Sequence, residues 1–203
     1  MAVLTRSGPR RRRAVGTGAR AALLGFGLCV AALPGRAHAQ TLLTQEEALR
    51  RAFPRADAIE RRTAYLDSAQ LARAEVAAGP DTKAPAGVVT YYVGVRDGAP
   101  IGAAYFDVHR VRTLPEVLMV VVDPRNRVSR VEIVRFSEPP EYRAPGGWLR
   151  QFVGRVLGRE LSLKGDIVGI TGATLTSVAA THAVRRVLAL HSVIDPFGTE
   201  AGR

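Results

Sequence analysis

The sequence predicts an α+β fold, an antiparallel sheet of about four strands with flanking helices. Three observations lead there. Helical periodicity runs through residues 40–80, two successive pairs of β-rich runs occupy 88–136, and helical periodicity returns at the C-terminal end. No strand–helix–strand alternation interrupts this order, which argues against a doubly wound parallel sheet, and no internal repeat is present.

The elements follow from local chemistry. Thr44-Gln45-Glu46-Glu47 reads as a capping box in which Thr44 and Glu47 satisfy each other's backbone donors. Ala48, Leu49 and Phe53 follow at helical spacing until Pro54. A second helix is expected from Ala56 to Ala78 on Ile59, Leu66, Leu71 and Val76, with Gly79-Pro80-Asp81 as its stop. Val88–Val95 and Ile101–Val108 read as strands joined by a turn at Arg96-Asp97-Gly98-Ala99-Pro100. Val117–Val122 and Val128–Phe136 form a second hairpin around Asp123-Pro124-Arg125-Asn126-Arg127. A loop rich in Pro and Glu (137–147) precedes a short helix expected from Trp148 to Leu157. The final helix, after Thr171–Ser177, carries Ala180, Val184, Val187 and Leu188 on one face.

Charge and cysteine content narrow the function. The 203 residues hold 29 Lys+Arg against 18 Asp+Glu, a net +11 that invites a nucleic-acid reading. Seven of those arginines (Arg6, Arg10, Arg11, Arg12, Arg13, Arg20 and Arg36) lie in residues 1–39, which contain no acid. The rest of the chain is only mildly basic and lacks the aromatic interleaving of RNA-binding sheets, so no nucleic-acid partner is expected. The single cysteine, Cys29, is also in that segment. Beyond it the chain offers no disulfide, cysteine-ligated metal or thiol nucleophile.

Residues 1–39 read as a signal peptide. A basic region ends at Arg20, a thirteen-residue apolar run spans Ala21–Leu33, Pro34 breaks it, and Ala37-His38-Ala39 supplies a small-x-small cleavage pattern. Such a run is about 20 Å long as a helix, short of a bilayer's hydrocarbon core of about 30 Å. The expected destination is the periplasm or the outer face of the cytoplasmic membrane. The organisation is then 1–39 signal peptide, 40–80 N-terminal helical segment, 81–195 ligand-binding domain and 196–203 tail.

The stretch that carries chemistry is Ile170-Thr171-Gly172-Ala173-Thr174-Leu175-Thr176-Ser177, just before the last helix. Gly172 and Ala173 let the backbone approach a ligand, four hydroxyls crowd into seven residues, and the helix start presents unpaired N–H groups to an anion. In the simpler alternative, Thr174 or Thr176 merely caps the helix.

Thr171-Gly172-Ala173-Thr174-Leu175-Thr176 resembles the [Ser/Thr]-Gly-Ala-Thr-x-[Ser/Thr] motif of the FMN-binding domain, found in the G subunit of the Rnf complex and the C subunit of the sodium-pumping NADH:quinone reductase. The resemblance extends roughly from Val88 to Leu190 and implies an FMN-binding-domain-like fold. It also implies FMN esterified through its phosphate to Thr176 by a flavin transferase that uses FAD. Thr171, Gly172, Ala173, Thr174, Leu175 and Ser177 would form the rest of the cofactor seat. Phe136–Tyr142 and Trp148 look like the family's loop before the motif, which helps shape the flavin site. That places Glu138 and Trp148 near the flavin, against the plainer readings of a solvated loop carboxylate and a core anchor. Val168 stands where the family usually carries Asp, and Asp166 lies two residues earlier.

The expected function is that of an exported electron carrier between membrane or periplasmic redox partners, rather than a stand-alone enzyme. No catalytic residue is singled out, and no His/Asp/Glu group has metal-ligand spacing. The alternative is a module that binds flavin or another ligand non-covalently, as a sensor or accessory.

Overall fold

The computed structural model describes residues 40–80, 82 and 87–198, which form one compact unit. The expected signal peptide therefore lies outside the described residues. In chain order the elements are β1 (Gln40–Thr41), α1 (Gln45–Ala52), β2 (Ala58–Tyr65), α2 (Ser68–Ala78), β3 (Val88–Arg96), β4 (Ala99–Arg110), β5 (Pro115–Val122), β6 (Val128–Phe136), α3 (Gly146–Leu149) and α4 (Thr174–Ile194). The fold is α+β. Its strands form one antiparallel sheet in the order β1-β6-β5-β4-β3-β2, with β1 only two residues long.

β3 to β6 stand where the alternating runs place them. Asp97 and Gly98 both take positive φ (51° and 74°), giving the tight β3–β4 turn a twist that matches its strands. At the β5–β6 turn the Asp123 carboxylate accepts from the N–H groups of Arg125 and Arg127. The Thr44–Glu47 capping box forms with both reciprocal bonds.

Two expectations need correction. The helix expected over Ala56–Ala78 is a strand followed by a helix: β2 pairs with β3 from Ala58↔Val95 to Tyr65↔Val88, and α2 begins only at Ser68. β2 is an edge strand whose outward positions carry Glu60, Arg61 and Thr63, so its alternation lacks apolar contrast. Asp67 then caps α2 in a second capping box with Gln70. Residues 40–80 thus extend the same sheet and core instead of forming a helical preface. The helix expected from Trp148 to Leu157 is also shorter. It comprises α3 and one 3-10 turn (Arg150–Phe152), because Gly154, at φ 81°, turns away and bonds to Val128 O while Val128 N bonds to Arg155 O.

The sheet is covered on both faces. On one face α4 and α2 bury the larger core, with Leu118, Val120 and Val122 of β5 against Ala180, Ala183, Val184 and Val187 of α4. On the other, α1 lays Ala48, Leu49 and Phe53 against Ala104, Met119 and Val121. Past the expected boundary at 195 the chain stays attached. Phe197 sits edge-on to His191, ring centroids 5.3 Å apart, and Pro196 O accepts from Arg62.

Phe53 explains two strand glycines. Gly94 and Gly102 are cross-strand partners, and a Cβ on Gly94 would fall 2.5 Å from the Phe53 ring. We expect Gly94→Ala to cost about 1–3 kcal/mol in denaturant unfolding through this overpacking. An unchanged midpoint would show that the ring moves aside freely.

His191 is buried on α4. Its Nε2 faces the Asn126 side-chain oxygen at 3.0 Å and its Nδ1 the Tyr105 hydroxyl at 2.9 Å, the pattern of a neutral ring. Burial lowers its pKa from 6.5 to about 4, against the pull of Asp195 and Asp123. A depressed histidine pKa makes the folded state lose stability as pH falls from 6.5 toward 4. The unfolding midpoint of His191→Gln should therefore depend less on pH across that window than that of the parent chain. Equal slopes would contradict the assignment.

Candidate functional site

The motif straddles the start of α4. Thr174 is the first helical residue, and Ala173 occupies the capping position, where no side-chain bond closes the helix end. Neither Thr174 nor Thr176 caps the helix, so the simpler reading of the motif does not hold. The first N–H groups of a helix have no internal partner and leave a partial positive charge. Gly172 is required conformationally: its φ is 81°, and a Cβ there would meet open space.

The hydroxyls separate into two pairs. Thr171 and Thr174 are exposed, as is Gly172. Thr176 and Ser177 are buried. Ser177 Oγ accepts from Ile170 N at 2.9 Å and donates to Ala173 O at 3.2 Å, pinning the motif loop onto the first helical turn. Thr176 Oγ1 donates to Tyr142 O at 2.6 Å, tying that turn to the loop after β6. The expected acceptor of FMN is thus engaged within the fold.

Trp148 and Gln151 brace the approach to the motif. The Trp148 indole N–H donates to Val168 O at 2.6 Å. The Gln151 amide bonds both ways with the same residue, accepting from Val168 N at 2.8 Å and donating to Val168 O at 3.3 Å. Phe152 packs edge-on against Trp148, with centroids 5.3 Å apart. Gln151 carries no sequence signal, since an isolated Gln in a loop promises nothing. The Val168 side chain is 72% exposed and Leu175 is 52% exposed, so two apolar side chains lie open in the segment surrounding the exposed hydroxyls. Asp166 is held in an ion pair with Arg155.

Glu138, expected near the flavin, anchors a turn of the sheet through one carboxylate oxygen. Its Oε1 accepts from the backbone N–H groups of Arg112, Thr113 and Leu114, closing the β4–β5 turn. Burial pushes its pKa up, but these backbone donors prevail and hold it below the usual range. Arg112 in turn stacks over the Tyr142 ring, 4.7 Å from its centroid. Glu138 therefore ties the loop that receives Thr176 to the β4–β5 turn.

Residues 115–189 match the FMN-binding domain family. The match supports FMN as the cofactor, and the matched segment runs from β5 through the motif into α4. Comparison with curated proteins and with solved structures finds no match. The residues present fit an FMN phosphate: an uncapped helix start, exposed hydroxyls at Thr171 and Thr174, and flanking apolar Val168 and Leu175 beside it.

A second polar cluster was not legible in the sequence. His109 Nδ1 lies 2.9 Å from Asp107 Oδ1, and its Nε2 lies 3.0 Å from Glu116 Oε2. Asp107 also receives Arg186 through Nε and Nη2, both at 2.7 Å. With a carboxylate oxygen at each ring nitrogen, the arrangement favours the protonated ring, which donates from both. Burial works against that charge, but the bonds to Asp107 and Glu116 raise the His109 pKa above 6.5. Among the described residues, no group of three His, Cys, Asp or Glu is placed to hold a metal ion.

Replacing Gln151 with Leu removes both bonds to the Val168 backbone. We expect a loss of about 0.5–1.5 kcal/mol in denaturant unfolding, the net worth of an exposed hydrogen bond, since Val168 O keeps its bond from Trp148 and water reaches Val168 N. A variant as stable as the parent would show that the loop before the motif does not depend on this clamp.

Proposed function

We propose that the chain is an exported flavoprotein that carries FMN at the start of α4 and passes electrons between membrane or periplasmic redox partners. The observation that carries this reading is the uncapped, hydroxyl-rich helix start inside the segment that matches the FMN-binding domain. A bound flavin accepts and releases one or two electrons, so the protein need only hold and tune it. The backbone N–H groups of Thr174 and Leu175 and the Thr171 and Thr174 hydroxyls are the donors for the phosphate. Val168 and Leu175 offer apolar surface to the ring. We place the protein as a carrier rather than a stand-alone enzyme.

In this reading FMN is joined to Thr176 as a phosphoester by a flavin transferase. Thr176 must first leave Tyr142 O and become accessible, since its hydroxyl is bonded there and the residue is buried. A covalent tether suits an exported carrier because a lost FMN is not replaced there. The burial of Thr176, 1% exposed, favours a second reading in which FMN is held non-covalently by the same helix start.

Co-expression with an active flavin transferase separates the two. Covalent attachment gives flavin fluorescence on a denaturing gel and an intact mass increased by FMN less water, and Thr176→Ala abolishes both. A colourless, unshifted chain that still quenches added FMN would establish the non-covalent reading. No quenching at all would overturn both.

A further inference from the structure

The sheet forks at one end. The β3–β4 ladder stops at Tyr91↔Tyr105, while β3 stays paired with β2 to Val88 and β4 stays paired with β5 to Arg110. Between the diverging strands lies a cavity of about 440 Å³, within the usual range for small-molecule sites. Its lining combines Val88, Thr90 and Phe106 with Asp107, His109 and Arg186. Val88 and Val108 form its lips, 57% and 68% exposed. This places two large apolar side chains in water at the mouth of a cleft with a charged floor.

The hydrogen bonding of the floor is one-sided. Asp107 occupies the Nε/Nη2 side of the Arg186 guanidinium, and among the described residues no partner takes Nη1. The Nη1/Nη2 end of the fork therefore keeps two parallel N–H groups, the arrangement that grips a carboxylate with two bonds. The Arg186 side chain is 14% exposed and Asp107 8% exposed, so such a grip would be shielded from water. With His109 protonated, the two carboxylates, Asp107 and Glu116, are balanced by His109 and Arg186, and an incoming anion meets no excess negative charge.

The geometry points to a binding site in this fork for a small apolar monocarboxylate, its carboxylate on the free end of Arg186 and its body between Val88, Val108 and Phe106. The site is independent of the flavin reading and lies on the strand-fork side of α4, about three helical turns beyond Thr174. The groups that face His109 are Asp107 on its own strand, Glu116 on β5 and, through Asp107, Arg186 on α4. Above the raised pKa of His109 the quartet gains a negative charge, and carboxylate binding weakens.

Benzoate titrated into the full chain, followed by amide NMR, tests this. We expect saturable shifts at Val88, Thr90 and Val108, and affinity for benzyl alcohol at least about tenfold weaker, since it lacks the carboxylate. Affinity should fall as pH rises through the His109 titration. Arg186→Lys keeps a positive charge on Asp107 but loses the fork, and should weaken benzoate about tenfold or more. If that variant does not fold, Val108→Glu on the exposed lip keeps the test open and should weaken benzoate by repulsion. No shifts at the fork, equal binding of benzyl alcohol, or indifference to Val108→Glu would each overturn the proposal. The result should be the same with and without FMN, which separates it from the fate of the flavin reading.

Discussion

One long helix lying across one face of an antiparallel sheet is the constraint on which the rest of the molecule depends. α4 is 21 residues long and approaches β4 and β5 through Ala180, Ala183, Val184 and Val187, mostly small side chains that allow close packing. The Asp107–Arg186 pair fixes its middle, and the His191 bonds to Tyr105 and Asn126 fix its far end. With those points set, the start of α4 is delivered to the loops after β6 and before the motif. Its uncapped N–H groups are then a consequence of sequence, because Ala173 has no side chain with which to close them.

The loops answer that exposed end in a consistent way. Ser177 folds the motif back on the helix, Tyr142 O receives Thr176, and Trp148 with Gln151 holds Val168. Glu138 steadies the β4–β5 turn, whose Arg112 covers the Tyr142 ring. These contacts use the buried hydroxyls and leave Thr171 and Thr174 open. Pre-ordering of this kind lowers the cost of binding an anion, since donors need not be gathered when the ligand arrives.

Much of the fold was legible because period and burial agree. β3 to β6 alternate between two covered faces, and the α4 stripe repeats at helical spacing, so both are visible in the residue order. β2 was not, since it lies at an edge and carries Glu60, Arg61 and Arg62 where alternation would have shown. The end of the 148–157 segment depends on Gly154 pairing with Val128, a contact between distant parts of the chain.

The motif was legible as a candidate site because hydroxyls, Gly172 and a helix start are adjacent in sequence. Its supports were not. Gln151 and Tyr142 act through one amide and one carbonyl, and the His109 quartet joins residues up to 79 positions apart. The central claim is that the start of α4 holds the phosphate of FMN. Amide NMR on the full chain titrated with FMN tests it most directly. The expected result is a set of saturable shifts concentrated at Gly172, Thr174, Leu175 and Thr176. Saturable shifts elsewhere, with these four amides unmoved, would contradict it.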